Sequence, residues 1–221
     1  DKLVFNFLMK KFDFSLIKNP LVSNLIEKKI INKNNLYCYS KTRERNNNII
    51  VNLENKNEIK FLANCNKIQD FFENSNMDYY SPTLKNAKTN KIYVNDLKRR
   101  TEFIKNKVKN KVWLDFGCGN GKLLLNNTTA KRRIGTEIND KAYKLLKKHK
   151  KIEVFKNLES IQNNSLDIVT LFHVIANIAD PIVSLKIIRK KLKKNGKIII
   201  ETPNANDALF IIYKSKAFID F

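Results

Sequence analysis

Lys111-Val112-Trp113-Leu114-Asp115-Phe116-Gly117-Cys118-Gly119-Asn120-Gly121 is the stretch from which the rest of the chain can be read. Val112, Trp113, Leu114 and Phe116 make a short apolar strand that runs straight into a glycine loop. Glycines at such a turn let the backbone approach a ligand closely and reach conformations barred to other residues. The spacing disfavours two ligand classes. A Walker loop needs four residues between its first glycine and Gly-Lys, followed by Ser or Thr. Here only Cys118, Gly119 and Asn120 separate Gly117 from Gly121, and Leu123 follows Lys122. A dinucleotide fingerprint, GxGxxG, would put its third glycine at Lys122. A purely structural turn would use the same residues.

On either side of the loop the pattern alternates. Leu97, Thr101, Ile104 and Val108 recur at helical spacing, with Asn95 or Asp96 as the expected cap. After the loop, LLLNN (123–127) reads as a short helix, RRIGTEI (132–138) as a second strand and NDKAYKLLKKHK (139–150) as a helix opened by Asn139 or Asp140. KIEVF (151–155) and LDIVTLFHVI (166–175) are the third and fourth strands. Asp180-Pro181 starts another helix, with Asp as N-cap and Pro where no N–H is needed. Gly196 is expected to close that helix in a left-handed cap, and KIIIE (197–201) is the fifth strand. Near-continuous apolar strands alternating with helices predict an α/β, doubly wound, mostly parallel sheet covered on both faces.

LDFGCGNG (114–121) resembles motif I of the class I S-adenosylmethionine-dependent methyltransferases, an acidic residue followed by GxGxG. The resemblance implies a Rossmann-like fold and S-adenosyl-L-methionine as cofactor, with Gly117, Cys118, Gly119 and Gly121 packing beneath it and Asp115 accepting hydrogen bonds in the methionine region. Glu137, in IGTEI, stands where the family places the carboxylate that takes the ribose hydroxyls; its side chain is expected at a pocket rim. FKNLESI resembles the segment that brackets adenine, with Asn157 and Leu158 at the aligned positions. LDIVTLFHVIANIADP (166–181) and LKKNGKIIIETPNANDALF (192–210) resemble a bacterial subgroup that reads FHVLEH-x-x-DP and ends its fifth strand in E-x-P-N. Members of that subgroup methylate sugars, polysaccharide precursors and other small molecules. The chain departs from it at Ala176-Asn177, which replaces Glu-His. The resemblance covers residues 78 to 221, and the family's last two strands lie beyond Phe221.

His173, at the carboxyl end of the fourth strand, is the candidate general base, with a structural histidine at the pocket as the other reading. Phe172 is expected to line the cofactor pocket. Thr202, Asn204 and Asp207 are candidates for substrate contact, and Asn206 or Asp207 equally for a helix cap. Cys118 reads as a small packing residue and not as a nucleophile.

Residues 1–80 form an N-terminal appendage in this reading, and 81–221 the methyltransferase domain, truncated at its C-terminal strands. In the appendage IIVNL (49–53) and EIKFLA (58–63) predict two strands, and IQDFFENS (68–75) a short helix. A loop over 78–90 separates the two parts. The chain starts at Asp1 without an initiator Met and stops within an apolar stretch, and so reads as a fragment. Three cysteines without a CxxC pair argue against a disulfide scaffold and against zinc; no metal is expected, and a reducing, cytoplasmic setting fits. No stretch is long and apolar enough to be a membrane span. Forty-three Lys and Arg against 21 Asp and Glu give a formal net charge of +22. That charge admits a nucleic-acid partner. It also follows from a Lys-, Asn- and Ile-rich composition. No NPPY-like tetrapeptide or base-stacking aromatic pattern supports an RNA substrate, so a small-molecule or sugar acceptor is favoured over RNA methylation and over a non-catalytic homologue.

Overall fold

The computed structural model describes residues 17–41, 49–53, 60–63, 65, 72–73 and 91–204. The chain divides into two compact units, residues 1–68 with 203–221 and residues 69–202. In the first, helix α1 (Pro20–Glu27) starts on Asn19, whose side-chain oxygen accepts from the backbone N–H groups of Leu21 and Val22. Pro20 occupies the first turn, where a missing N–H costs nothing. Strands β1 (Leu36–Lys41), β2 (Ile49–Leu53) and β3 (Lys60–Leu62) form an antiparallel sheet in that order. Both expected strands are therefore present, with β1 as a third. Val22, Ile31, Leu36 and Ala63 make a small core.

The second unit carries the predicted α/β architecture. It contains α2 (Lys91–Val108), β4 (Val112–Phe116), α3 (Lys122–Asn126), β5 (Arg132–Thr136), α4 (Asp140–Leu146), β6 (Glu153–Phe155), β7 (Leu166–Phe172), α5 (Pro181–Lys191) and β8 (Leu192–Glu201). All five strands run parallel in the order β6-β5-β4-β7-β8. The chain winds outward from β4 to β6 and then returns to β7 on its other side. β4 thus ends at a topological switch point, where open α/β sheets bind ligands. Alternation along the central strand explains the two-sided cover. Trp113 joins Ile104, Val108, Leu124, Leu146 and Ile168 in one core, whereas Leu114 joins Ile134, Val169, Leu171 and Ile188 in the other.

Two local expectations need correction. Helix α2 begins at Lys91, so Asn95 and Asp96 lie inside it and do not cap it. Asp96 instead pairs with Arg99 and Arg100 one turn on. Gly196 is not a left-handed cap, since α5 ends at Lys191 and β8 begins at once. Gly196 lies in a bulge of β8, where a Cβ would sit 2.7 Å from Leu192 Cδ2 and 3.0 Å from the Leu166 carbonyl oxygen. Close approach, not a positive φ, is what requires glycine there. The expected helix over 68–75 and the loop over 78–90 lie outside the described residues apart from Phe72 and Glu73.

Candidate functional site

The glycine loop leaves β4 with Gly117, Gly119 and Gly121 all at positive φ, between 55° and 71°. At Gly117 a Cβ would also meet Val174 Cγ2 at 2.7 Å. The loop is tied to the end of β5. Gly117 N–H donates to Thr136 Oγ1 at 3.3 Å and Cys118 N–H to the Thr136 carbonyl at 2.9 Å. Gly135 in β5 makes room for it, since a Cβ there would lie 2.5 Å from Cys118 Sγ.

Glu137 completes the tie. One carboxylate oxygen accepts from Gly119 N–H and the other from Asn139 N–H, each at 2.8 Å. The residue is only 7% exposed, so the expectation of a side chain on the pocket rim is wrong. The backbone donors drew the carboxylate inward. Burial pushes its pKa up, and those N–H groups with Lys156 partly offset the shift. Asp115 is buried more deeply. Its Oδ1 accepts from the Thr170 hydroxyl at 2.6 Å, and Thr170 Oγ1 accepts from the Trp113 indole N–H at 2.9 Å. Burial raises the Asp115 pKa to about 7, against the lowering effect of the Thr170 bond and Arg100. Burial, with both carboxylates nearby, lifts the Cys118 thiol well above its ordinary value. That thiol stays protonated and acts as a packing group.

His173 follows β7 in the left-handed region, at φ 57°. Its N–H donates to the Glu201 carbonyl at 2.9 Å, and its ring Nε2 lies 3.3 Å from Glu201 Oε1. Burial and Arg100 hold its pKa below the usual value, so the imidazole is neutral at pH 7. Asp96, His173 and Glu201 bring one donor atom each within 4.8 Å of one another. Both carboxylates are already engaged: Arg100 bonds Asp96 and Glu201 at 2.6 Å each, and Arg99 bonds them at 2.7 and 2.8 Å. Arg100 also lies over the Phe172 ring.

Asp115, Glu137, Arg100, Phe172 and His173 line one cavity of about 530 Å³ at the carboxyl ends of the strands. The methyltransferase-domain family profile matches residues 89–217, more than half of the chain. The chain belongs to this family. Its fold is that of the class I S-adenosylmethionine-dependent methyltransferases. Among solved structures it resembles the plantazolicin methyltransferase BpumL, determined with a monoazolic desmethylPZN analogue and SAH, at 16% identity and TM-score 0.50 over 69% of this chain and 63% of that one. It also resembles a candidate type 11 methyltransferase of Sulfolobus solfataricus, at 24% identity and TM-score 0.45 over 50% of this chain and 67% of that one. A third is a SAM-dependent methyltransferase from Thermotoga maritima, at 20% identity and TM-score 0.44 over 57% and 61% of the two chains. The chain thus spans between 61% and 67% of the length of these three structures. No curated protein matches it.

Within the methyltransferase domain the cavity brings together Asp115, Gly117, Cys118, Gly119, Glu137, Asn157, Leu158, Phe172 and His173. Gly121 is not part of the lining; it caps α3 from the left-handed region instead. Asn157 is exposed, and its Oδ1 accepts from the Ser160 hydroxyl at 3.2 Å, whereas the Leu158 side chain is buried. Asn177, half of the departure from Glu-His, also lines the cavity, and its amide donates to the His173 carbonyl at 3.0 Å. Asp207 lies outside the described residues. Sequence reasoning missed Arg100, Tyr93 and Lys156. Arg100 was legible in principle as part of an Arg-Arg pair in a Lys-rich chain. Tyr93, whose hydroxyl accepts from the Asn120 amide at 2.7 Å, stands one turn before the residues used to find α2.

Proposed function

We propose that this chain binds S-adenosyl-L-methionine in the cavity at the carboxyl end of β4 and β5 and transfers its methyl group to a small molecule or a sugar or polysaccharide precursor. The observation that carries the reading is the pair of buried carboxylates, Asp115 and Glu137, on either side of one glycine loop over a 530 Å³ cavity. The donor set fits the cofactor. A carboxylate has about four acceptor positions, and backbone N–H groups take two of those on Glu137, leaving capacity for a vicinal diol. Asp115, poorly solvated and short of counter-charge, suits a cationic group. Leu158 and Ile138 offer apolar surface for a purine, with Asn157 at its edge.

When bound, the cofactor supplies an already activated methyl group. The work left to the protein is alignment and exclusion of water. Phe172 walls the cavity, and Arg100 and Glu201 fix the ring of His173 at its end. For a hydroxyl acceptor the neutral imidazole of His173 takes the proton; for an acceptor that is already nucleophilic it positions only. We propose the same division of the chain as the sequence suggests, with 1–80 as an appendage and 81 onward as the cofactor domain, although Phe72 also lines the cavity.

Isothermal titration calorimetry tests the reading. S-adenosylmethionine should bind in the micromolar range, on the order of −8 kcal/mol. Glu137→Ala should weaken that binding at least about tenfold, from the loss of charge-assisted hydrogen bonds of roughly 1.5–3 kcal/mol each. Because Glu137 braces the loop, the melting temperature should fall as well. Heat with NAD and none with S-adenosylmethionine would overturn the assignment.

A further inference from the structure

Charge is divided unequally between the two edges of the parallel sheet. At the carboxyl edge, Asp96, Asp140 and Glu201 are answered by Arg99, Arg100 and Lys156. The opposite edge, where the strands begin, is built mostly of cations. Lys150 and Lys151 precede β6, Lys131 leads into Arg132 at the start of β5, and Lys109 and Lys111 precede β4. Lys190, Lys193 and Lys194 flank the start of β8. All of these side chains are exposed. Only two carboxylates stand among them in the described residues, and both are taken. Glu153 is bonded by Arg132 at 2.8 Å, and Asp167 by Lys193 at 2.9 Å.

The array is rigid. Lys131 N–H donates to the Lys111 carbonyl at 2.9 Å, and Asn164 N–H to the Lys190 carbonyl at 3.0 Å. Attraction to helix C-termini accounts for Lys190 and for Lys109, which directly follows the last residue of α2, but not for Lys131 or Lys151, which lie more than a turn beyond the nearest helix end. Composition alone would scatter lysines over both edges without thinning the acids at one. Asn110, Thr129 and Asn164 are exposed between the lysines and offer neutral donors of the kind that hydrogen-bond phosphate oxygens. Five strands set about 4.8 Å apart make the row roughly 19 Å long.

We propose that this rim is a docking surface for the phosphate backbone of a nucleic acid. Binding is through phosphates and without base readout. The rim and the cavity lie at opposite ends of β4, whose five residues span about 16 Å. A strand held on the rim therefore does not present its bases to the cavity, and it acts as a tether and not as the methyl acceptor. This inference stands independently of the cofactor assignment.

The test is fluorescence anisotropy of the whole chain with a labelled 20-nucleotide single-stranded RNA over a salt series. The expected result is that Lys131→Glu with Lys194→Glu lowers affinity at least about tenfold at 0.1 M salt. The slope of log K against log salt should shrink by about 1.4, two phosphate contacts at roughly 0.7 each. Lys98→Glu with Lys186→Glu, an equal charge change on the exposed faces of α2 and α5, should leave both within twofold. Circular dichroism melts report whether each variant is folded; where one is not, the Lys→Gln pairs repeat the comparison. Equal weakening by both pairs would reduce the rim to general positive charge and overturn the proposal. So would the absence of salt-dependent RNA binding, or a rim-dependent affinity seen only with phosphatidylserine vesicles.

Discussion

Asp115 binds a proton more tightly in the fold than in the unfolded chain, because burial raises its pKa from 3.8 to about 7. The sign of the pH effect follows. A folded-state pKa above the unfolded one means that the folded state holds more protons between the two values, so stability declines as pH rises through that window. The cost is about 1.4 kcal/mol per pH unit. Glu137, also raised by burial, adds in the same direction. Glu153 and Glu201, held low by arginines, act below the window. His173, held below its ordinary value, acts in the opposite direction just below pH 6.5. Between pH 5.5 and 7 the melting temperature of the ligand-free protein should therefore fall, by at most about 4–8 °C. Asp115→Asn keeps the shape and accepts the Thr170 hydroxyl, so it should flatten that dependence and melt higher than wild type at pH 7.5 while binding S-adenosylmethionine more weakly. A variant that melts lower than wild type at pH 7.5 would mean that the ionised carboxylate is well compensated in the fold.

At the scale of the element, the glycine loop and β5 behave as one unit, and Gly135 is where they touch. A methyl group there would meet Cys118 Sγ at 2.5 Å and Leu124 Cδ1 at 3.0 Å. Its φ is not in the left-handed region, so the conflict is one of space alone. Gly135→Ala should destabilise by about 1–3 kcal/mol, the usual cost of overpacking, and weaken cofactor binding by displacing the loop. Adding Cys118→Ala removes the clashing sulfur and should restore part of both; thermal melts and calorimetry on the single and double variants decide. The same elements show what a sequence can carry. The strands were legible because both faces of a parallel sheet are covered, which leaves uninterrupted apolar runs such as LDIVTLF. The loop was legible because three positive-φ positions call for glycine. Boundaries were less so. The bond that ends α5 at Lys191 leaves no periodic mark, and Gly196 answers to a contact with Leu166 that is remote in sequence. The burial of Glu137 was equally hidden, since its partners are backbone N–H groups that any residue would supply. Arg100 reaches the cavity only because α2 lies beside β8, a juxtaposition that tertiary packing creates.

Over the whole molecule a net charge of +22 is spread across 221 residues, and like charges outnumber the ion pairs that could absorb them. Such a surplus loads the folded state with self-repulsion, which salt screens as the Debye length shrinks from about 30 Å at 0.01 M to about 10 Å at 0.1 M. The melting temperature should therefore rise between 20 and 200 mM sodium chloride, by roughly 2–4 °C for each kcal/mol of repulsion relieved. A decrease would mean that pairs such as Arg99 and Arg100 with Glu201 outweigh the surplus. No helix among the described residues is long and apolar enough to cross a membrane.

Trp113 is the single tryptophan of the chain, and its indole N–H donates to the hydroxyl that in turn donates to Asp115. The emission of the whole protein, excited at the red edge where its tyrosines are silent, therefore comes from one fluorophore wired through one hydroxyl to the most perturbed carboxyl in the site. A proton gained or lost at Asp115 alters the dipole that this indole feels. The native chain thus carries its own optical indicator for that ionisation, with no label and no substitution required.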